Sequence, residues 1–166
     1  MADYRLQTLL GMRERAEQDA KDAFGLAQAA LREQERKLKE HEDELQRMVE
    51  DRKRRREDYS KKLASGEMKV TDQSAAYRYI ERLKDRETEQ KFKIEAQREQ
   101  VRNAEKDLKR AQDALIVATQ DLKALEKHKE KWAAELKKER ALREEDQLDE
   151  IGQVIFTQAQ KALKQG

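Results

Sequence analysis

Apolar side chains recur every seventh residue along most of this chain, in two columns offset by three positions. A repeat of this kind, sustained over far more than four heptads, is typical of the a and d positions of a left-handed coiled coil. The clearest columns contain Leu10, Phe24, Leu31, Leu38, Leu45 and Tyr59 in the N-terminal part, and Ile80, Ile94, Val101, Leu108, Leu115, Leu122 and Leu136 in the C-terminal part. The pattern predicts long helices that bury only a narrow apolar stripe.

One interior break separates the two repeats. The chain contains no proline, so helix ends must come from glycine and from capping residues. Gly66 can end one helix, and Thr71 and Asp72 can cap the next one. A short connection then brings the second helix back along the first. The predicted fold is all-α: a long two-helix antiparallel coiled-coil hairpin with a C-terminal helical extension.

The repeats also indicate the boundaries of the segments. Beyond residue 143 the heptads lapse, but Leu148, Ile151, Val154, Ile155 and Ala159 keep helical spacing and face no partner in the hairpin. An orphan apolar stripe is typical of an interface. We predict a single hairpin over residues 1–166, with a first arm over about 4–63, a loop over about 64–73, a second arm over about 74–143 and a helical tail over about 144–163.

The register between the arms follows from matching large seam residues to small ones, since an a residue faces a d residue in an antiparallel pair. The best match places Leu31 against Ala111 and turns Arg55 and Glu87 into an opposite-charge pair. A shift of one heptad instead places Met48 on Glu87 and buries an isolated charge. The first register is therefore expected.

Composition and charge narrow the range of functions. Charged residues make up 45% of the chain, but 38 basic and 36 acidic side chains nearly cancel, so net charge does not favour nucleic acid or an anionic membrane. The absence of cysteine removes disulfides and thiolate metal sites. No apolar run approaches the roughly 20 residues of a membrane span, and the N-terminus lacks the order of a secretory signal. We expect a cytoplasmic protein without direct membrane insertion.

Candidate chemistry is sparse. His41 lies on the seam, His128 lies just outside it near the other end, and neither belongs to a cluster with metal-ligand spacing. Carboxylates on an exposed helix pair are expected to titrate near their usual values, and no glycine-rich phosphate loop or concave site is predicted. We expect no catalytic residue, no metal and no cofactor, and therefore not an enzyme.

The region around the break carries the clearest local features. Residues 52–56 are five consecutive basic side chains, bracketed by acidic residues and without interleaved aromatics. A solvated helix face is the simplest interpretation, a docking patch for an acidic protein is the next, and nucleic-acid binding is least favoured. Tyrosines and aliphatic residues gather at the same end, and tyrosine is a favoured interface anchor. These residues are Tyr59, Leu63, Tyr77, Tyr79, Ile80 and Leu83.

Four short motifs occur in a fixed order. They are the opening Tyr4-Arg5-Leu6-Gln7-Thr8-Leu9-Leu10, the spacing of Leu26-Ala27 with Ala30-Leu31, the stretch Tyr79-Ile80-Glu81-Arg82-Leu83 after the loop, and Glu144-Glu145-Asp146-Gln147-Leu148-Asp149-Glu150-Ile151. In this order and spacing the whole chain resembles the FliJ/YscO family, the central-stalk proteins of flagellar and type III secretion export ATPases.

The resemblance implies partners and sites. Members of this family place the end bearing both termini in a hexameric export ATPase, present the hairpin tip to the export-gate membrane protein and help to cycle export chaperones. The implied location is cytoplasmic and peripheral to the membrane-embedded export apparatus, with no role for nucleic acid. The implied ATPase-binding residues are Leu6, Leu10, Leu148, Asp149, Glu150 and Ile151. The implied export-gate-binding tip comprises Tyr59, Leu63, Tyr79 and Leu83.

Two other interpretations fit the same pattern. A generic cytoplasmic coiled-coil scaffold or adaptor could pair its seam between molecules as an extended dimer, which requires residues 66–71 to continue the helix. A nucleic-acid binder is the third possibility, and its retention on DNA would depend on salt.

Overall fold

The computed structural model describes residues 3–165. Helix α1 spans Gln7–Ala64 and helix α2 spans Val70–Gln165, and no strand occurs within the described residues. Contacts between the helices join early residues of α1 to late residues of α2, so the two run antiparallel. The predicted all-α coiled-coil hairpin is confirmed.

Gly66 ends α1. Its φ of 78° lies in the left-handed region that glycine adopts without steric cost. The Glu67 N–H donates to the Lys62 carbonyl oxygen at 3.0 Å, and the Gly66 N–H donates to the Leu63 carbonyl oxygen at 3.3 Å. This pair of hydrogen bonds is the Schellman motif, which satisfies carbonyl groups that the last helical turn leaves unpaired.

Asp72 caps the beginning of α2. One of its carboxylate oxygens accepts a hydrogen bond from the Lys69 backbone N–H at 3.2 Å, which satisfies one free donor of the first turn. The connection is therefore residues 65–69, shorter than the expected loop over about 64–73, because both caps act close to the glycine. An extended dimer with a continuous helix through residues 66–71 is wrong for this reason.

The helices pack as two compact units. The first, called here the turn unit, is Ala20–Leu115 and contains the connection. The second, called here the terminal unit, combines residues 3–19 with 116–165. Each helix contributes a segment to both units.

The seam of the turn unit alternates apolar and polar layers. Its buried apolar residues are Ile80, Ile94, Val101 and Ala104, and its buried polar residues are Glu87, Gln90 and Gln97. The Gln97 Nε2 donates to the Gln34 carbonyl oxygen at 2.9 Å and to its side-chain oxygen at 2.8 Å. The Gln90 Nε2 donates to the His41 carbonyl oxygen at 2.9 Å. The buried amides are satisfied by these bonds across the seam.

The register differs from the predicted one. Glu87 does not meet Arg55. The Arg52 Nε donates to the Glu87 Oε2 at 2.7 Å, and Arg55 binds Asp51 on its own helix. Three contacts across the seam identify the register: Gln34 with Gln97, His41 with Gln90, and Arg52 with Glu87. Each is displaced by one helical turn from the directly facing pairs of the register shifted by one heptad. That register is stable because Arg52 neutralises the carboxylate it buries, so the charge is not isolated.

The terminal unit is closed by aromatic residues. The Tyr4 ring lies 5.1 Å from the Trp132 ring, centroid to centroid, and the Tyr4 hydroxyl lies 2.5 Å from the His128 Nδ1. The Lys129 ammonium donates to the Gln7 side-chain oxygen at 2.8 Å. These contacts also fit the register shifted by one heptad. His128 lies outside the seam, as expected, but it contacts Tyr4.

Candidate protein-binding surfaces

A groove of about 360 Å³ lies beside the connection in the turn unit and is called here the turn groove. It forms where α1 ends and α2 begins, because the Schellman turn brings the two helix ends together. Its apolar lining consists of Tyr59, Leu63, Met68, Ala76, Tyr77 and Ile80. Its polar lining consists of Arg56, Ser60, Gln73, Glu81 and Lys84. An apolar trough with basic and acidic groups suits a peptide segment better than a small molecule.

The four predicted tip residues divide into two pairs. Tyr59 and Leu63 line the turn groove, and Leu63 is 46% exposed. Tyr79 and Leu83 are half-buried and do not line it. The Arg55 guanidinium carbon lies 5.3 Å from the centroid of the Tyr79 ring, so the face of that ring is already occupied by a cation–π contact.

Two further groove residues, Tyr77 and Met68, were not assigned to the export gate, although Tyr77 belongs to the cluster of tyrosines and aliphatic residues noted in the sequence. Tyr77 is 68% exposed, and Met68 is half-buried in the connection. Tyr77 lies off both heptad columns, and this was the available signal, because an aromatic residue outside the seam stripe must face solvent or a partner. Met68 gave no such signal, since its orientation depends on the turn.

The end of the turn unit is strongly basic. Residues 52–84 carry eleven Lys or Arg against five Asp or Glu, whereas the rest of the chain carries 27 against 31. Hydrogen bonds from Arg54 and from Arg55 hold the pKa of Asp51 below its ordinary value, so this carboxylate stays ionised and offsets part of the charge. Arg52 forms an ion pair with Glu87. Arg56 makes no ion pair with the described residues and lines the groove.

The tail of α2 offers the second surface. Every residue from 137 to 165 is exposed. Leu148 is 69% exposed and Ile151 is 56% exposed, and the adjacent Asp149 and Glu150 are also in contact with solvent. The tail surface is defined here as residues 144–165. Its apolar side chains are not covered by any described residue of the terminal unit.

The predicted ATPase-binding residues are not brought together as one patch. Leu10 is only 4% exposed and packs beside α2 near Lys129 and Ala133, and Leu6 is half-buried. From residue 133 to Leu148 the helix advances about 22 Å. The exposed part of the predicted set is therefore the tail stretch, whereas Leu6 and Leu10 hold the helices together.

Within residues 3–165, no group of His, Cys, Asp or Glu side chains is arranged to hold a metal ion. In the same described part of the chain, neither helix is apolar enough over a sufficient length to span a membrane.

A family model described as YscO-like protein matches residues 1–162 of this chain. The chain belongs to the YscO-like protein family. This confirms the resemblance to the FliJ/YscO family that the sequence motifs carried.

A solved structure agrees with the membership. The Chlamydia trachomatis protein CT670, described as a YscO homolog, is 25% identical to this YscO-like chain. The match covers 97% of this chain and 99% of CT670, with a TM-score of 0.83. No curated protein matches the sequence. The YscO-like family is associated with type III secretion and flagellar export, and its members are secretion components rather than known enzymes.

Proposed function

We propose that this YscO-like protein is the central stalk of an export ATPase and couples that ATPase to the export gate. One observation carries the proposal: Leu148 and Ile151 are each more than half exposed on a helix that no described residue of the terminal unit covers. A helix face of this kind needs a partner. The family association with type III secretion supports a hexameric export ATPase as that partner.

The coupling would depend on symmetry. A two-helix stalk cannot contact six identical ATPase subunits equally, so bound subunits differ from unbound ones in free energy. Such differences bias the order of ATP hydrolysis and favour assembly of the ring. Leu148 and Ile151 supply the apolar contact, and Asp149 and Glu150 supply charges for basic groups of the ring.

The turn groove would contact the export gate. Its apolar lining next to Arg56 and Lys84 fits a partner segment with an apolar side chain flanked by acidic residues. The excess of basic residues over 52–84 would raise the rate of encounter with such a segment. In this role the protein is cytoplasmic and peripheral to the export apparatus, and export chaperones are further partners, as in the family.

The ATPase contact is tested by ATPase stimulation and by co-sedimentation with the purified hexamer. Leu148→Asp combined with Ile151→Asp should weaken both by more than about tenfold, because two exposed apolar anchors are replaced by charges. Leu26→Asp is the matched control, since Leu26 is 73% exposed but lies in the turn unit. Normal stimulation by the double variant would show that the tail is not the ATPase contact.

The gate contact is tested by binding to the cytoplasmic part of the export-gate protein. Leu63→Asp combined with Tyr77→Ala should abolish binding and leave ATPase stimulation intact. Phe92→Ala is the control, because Phe92 is 71% exposed in the same unit but does not line the groove. Equal losses in the control and the groove variant would reject the groove as the gate contact.

A further inference from the structure

The tail surface carries its charges in two separate blocks. Residues 144–150 contain five acidic side chains and no basic one, and residues 151–160 contain no charged side chain at all. Lys161 and Lys164 follow. The uncharged middle holds Ile151, Ile155 and Ala159 at helical spacing, and the whole segment is exposed.

This charge pattern is complementary to that of a second copy running in the opposite direction. The acidic block is centred near residue 147 and the lysines near residue 162, so the midpoint lies close to Ile155. Two copies related by a two-fold axis at that midpoint place the acidic block of each opposite the lysines of the other, because an isologous contact repeats every pairing. A parallel arrangement would instead place five acidic side chains against five.

The apolar residues match in the same arrangement. Leu148 of one copy lies near Ala162 of the other, and Ile151 lies near Ala159, while Ile155 meets its own symmetry mate. Large side chains therefore face small ones along the contact, which fills a helix pair without overpacking. The helix itself also needs such a cover, since a helix with no packed face is marginal in water.

We infer that the tail surfaces of two copies of this chain pair antiparallel around Ile155. The paired form covers Leu148 and Ile151, so it excludes the ATPase contact proposed above. Self-pairing is then the form of the protein that is not engaged with the ATPase. The pairing itself does not depend on the proposed function, because it is measured on the chain alone.

Sedimentation velocity of the full chain over a wide concentration range measures the pairing. The wild type should pass from monomer to dimer. Lys161→Glu combined with Lys164→Glu should weaken dimerisation by at least about tenfold, because attraction on both sides of the two-fold axis becomes repulsion. Glu145→Lys combined with Asp149→Lys should weaken it similarly. A monomeric wild type at all concentrations overturns the inference.

Mixing the two charge variants restores the pairing. In the lysine variant every charge of the paired segment is acidic, and in the acidic-block variant the substituted position 149 faces Lys161. Each homodimer is therefore weakened, whereas the mixed dimer places the intact acidic block of one copy opposite Lys161 and Lys164 of the other and position 149 opposite an acidic residue. Lys137→Glu combined with Lys138→Glu is the matched control, because the same change in charge lies outside the paired segment and should have no effect. Homodimers that are insensitive to both charge variants, or a mixture no better than its components, overturn the antiparallel contact.

Disulfide cross-linking determines whether the two tails run parallel or antiparallel. Because the chain contains no cysteine, only the introduced thiols can react. In the antiparallel pair the two copies of residue 148 lie about 21 Å apart along the axis. Leu148→Cys alone should therefore not form a disulfide between copies, whereas Leu148→Cys combined with Ala162→Cys should. Efficient dimerisation of Leu148→Cys alone indicates a parallel pair and overturns the inference.

Discussion

At the scale of single residues, the most consequential group is the buried carboxylate of Glu87. Its side chain is 6% exposed and that of Arg52 is 16% exposed, so their ion pair is largely removed from water. The second carboxylate oxygen of Glu87 is buried and accepts no hydrogen bond from the described residues. The pair therefore selects the register more than it stabilises the fold.

Removing one partner of this pair should be costly. Arg52→Met is expected to lower the free energy of unfolding by about 3 kcal/mol, because it leaves a buried carboxylate uncompensated. Arg52→Met combined with Glu87→Leu should return it to within about 1 kcal/mol of the wild type or above it. Urea unfolding followed by circular dichroism measures both.

An exposed pair provides the control for that experiment. Arg102 binds Glu99 at 2.7 Å, and both side chains are 54% exposed. Arg102→Met should cost less than about 1 kcal/mol, because water screens the pair. Similar losses for Arg52→Met and Arg102→Met would mean that burial of the Glu87 pair has no energetic weight.

The candidate sites show how far single residues can be assigned from sequence. Tyr59 and Leu63 could be assigned to the tip from sequence, because both the heptad repeat and the helix break indicate that end of the hairpin. Both residues line the turn groove. Leu10 is buried, as its place in the heptad columns predicts, and only the family resemblance assigned it to the ATPase contact. The Tyr79 ring is covered by Arg55 of the other helix, and such a contact between helices depends on the register.

At the scale of elements, the two helices were predictable and their register was not. A shift by one heptad keeps every a residue opposite a d residue, so both registers satisfy the same apolar pattern. The observed register is favoured by the hydrogen bonds of Arg52, Gln90 and Gln97 across the seam. The partner of each lies one helical turn away from the residue directly opposite. Such diagonal contacts are not visible in a comparison of directly opposed residues.

The register is checked with paired cysteines in the turn unit. Leu31→Cys combined with Ala104→Cys should form an intramolecular disulfide readily, because these positions face each other in the observed register. Leu31→Cys combined with Ala111→Cys is the matched pair for the other register and should form one slowly, if at all. The reverse order of oxidation rates would contradict the register described here.

The turn also gives a prediction for the ends of the helices. Gly66→Ala should lower the free energy of unfolding by about 1 kcal/mol, because alanine is strained at positive φ. Gly25→Ala should raise it by about 0.5 kcal/mol, since a helical Cβ there meets nothing within 4 Å. Thermal unfolding distinguishes them, and a stabilising Gly66→Ala would argue against the left-handed turn.

At the scale of the whole molecule, the chain concentrates burial in some segments and exposure in others. Six of the buried residues in the seam of the turn unit lie between positions 80 and 101, whereas residues 137–165 contain none. Local stability follows burial, because opening a covered segment exposes more apolar surface.

Hydrogen exchange should display this difference. Amides of residues 137–165 are expected to exchange much faster than those of residues 80–101 in dilute protein. At high concentration the tail should become protected, since pairing adds its free energy to that segment. Mass spectrometry of peptic fragments measures both, and a tail that is fully protected in dilute monomer would contradict its exposed state.

Trp132, the only tryptophan in the sequence, packs against Tyr4 at the beginning of the described chain. Its fluorescence emission therefore comes from the terminal unit alone and carries no signal from the turn unit. A shift of that emission to longer wavelength reports when the first residues of the chain leave the indole. The protein thus contains its own optical probe for events at the end that is proposed to meet the ATPase, and no added label is needed.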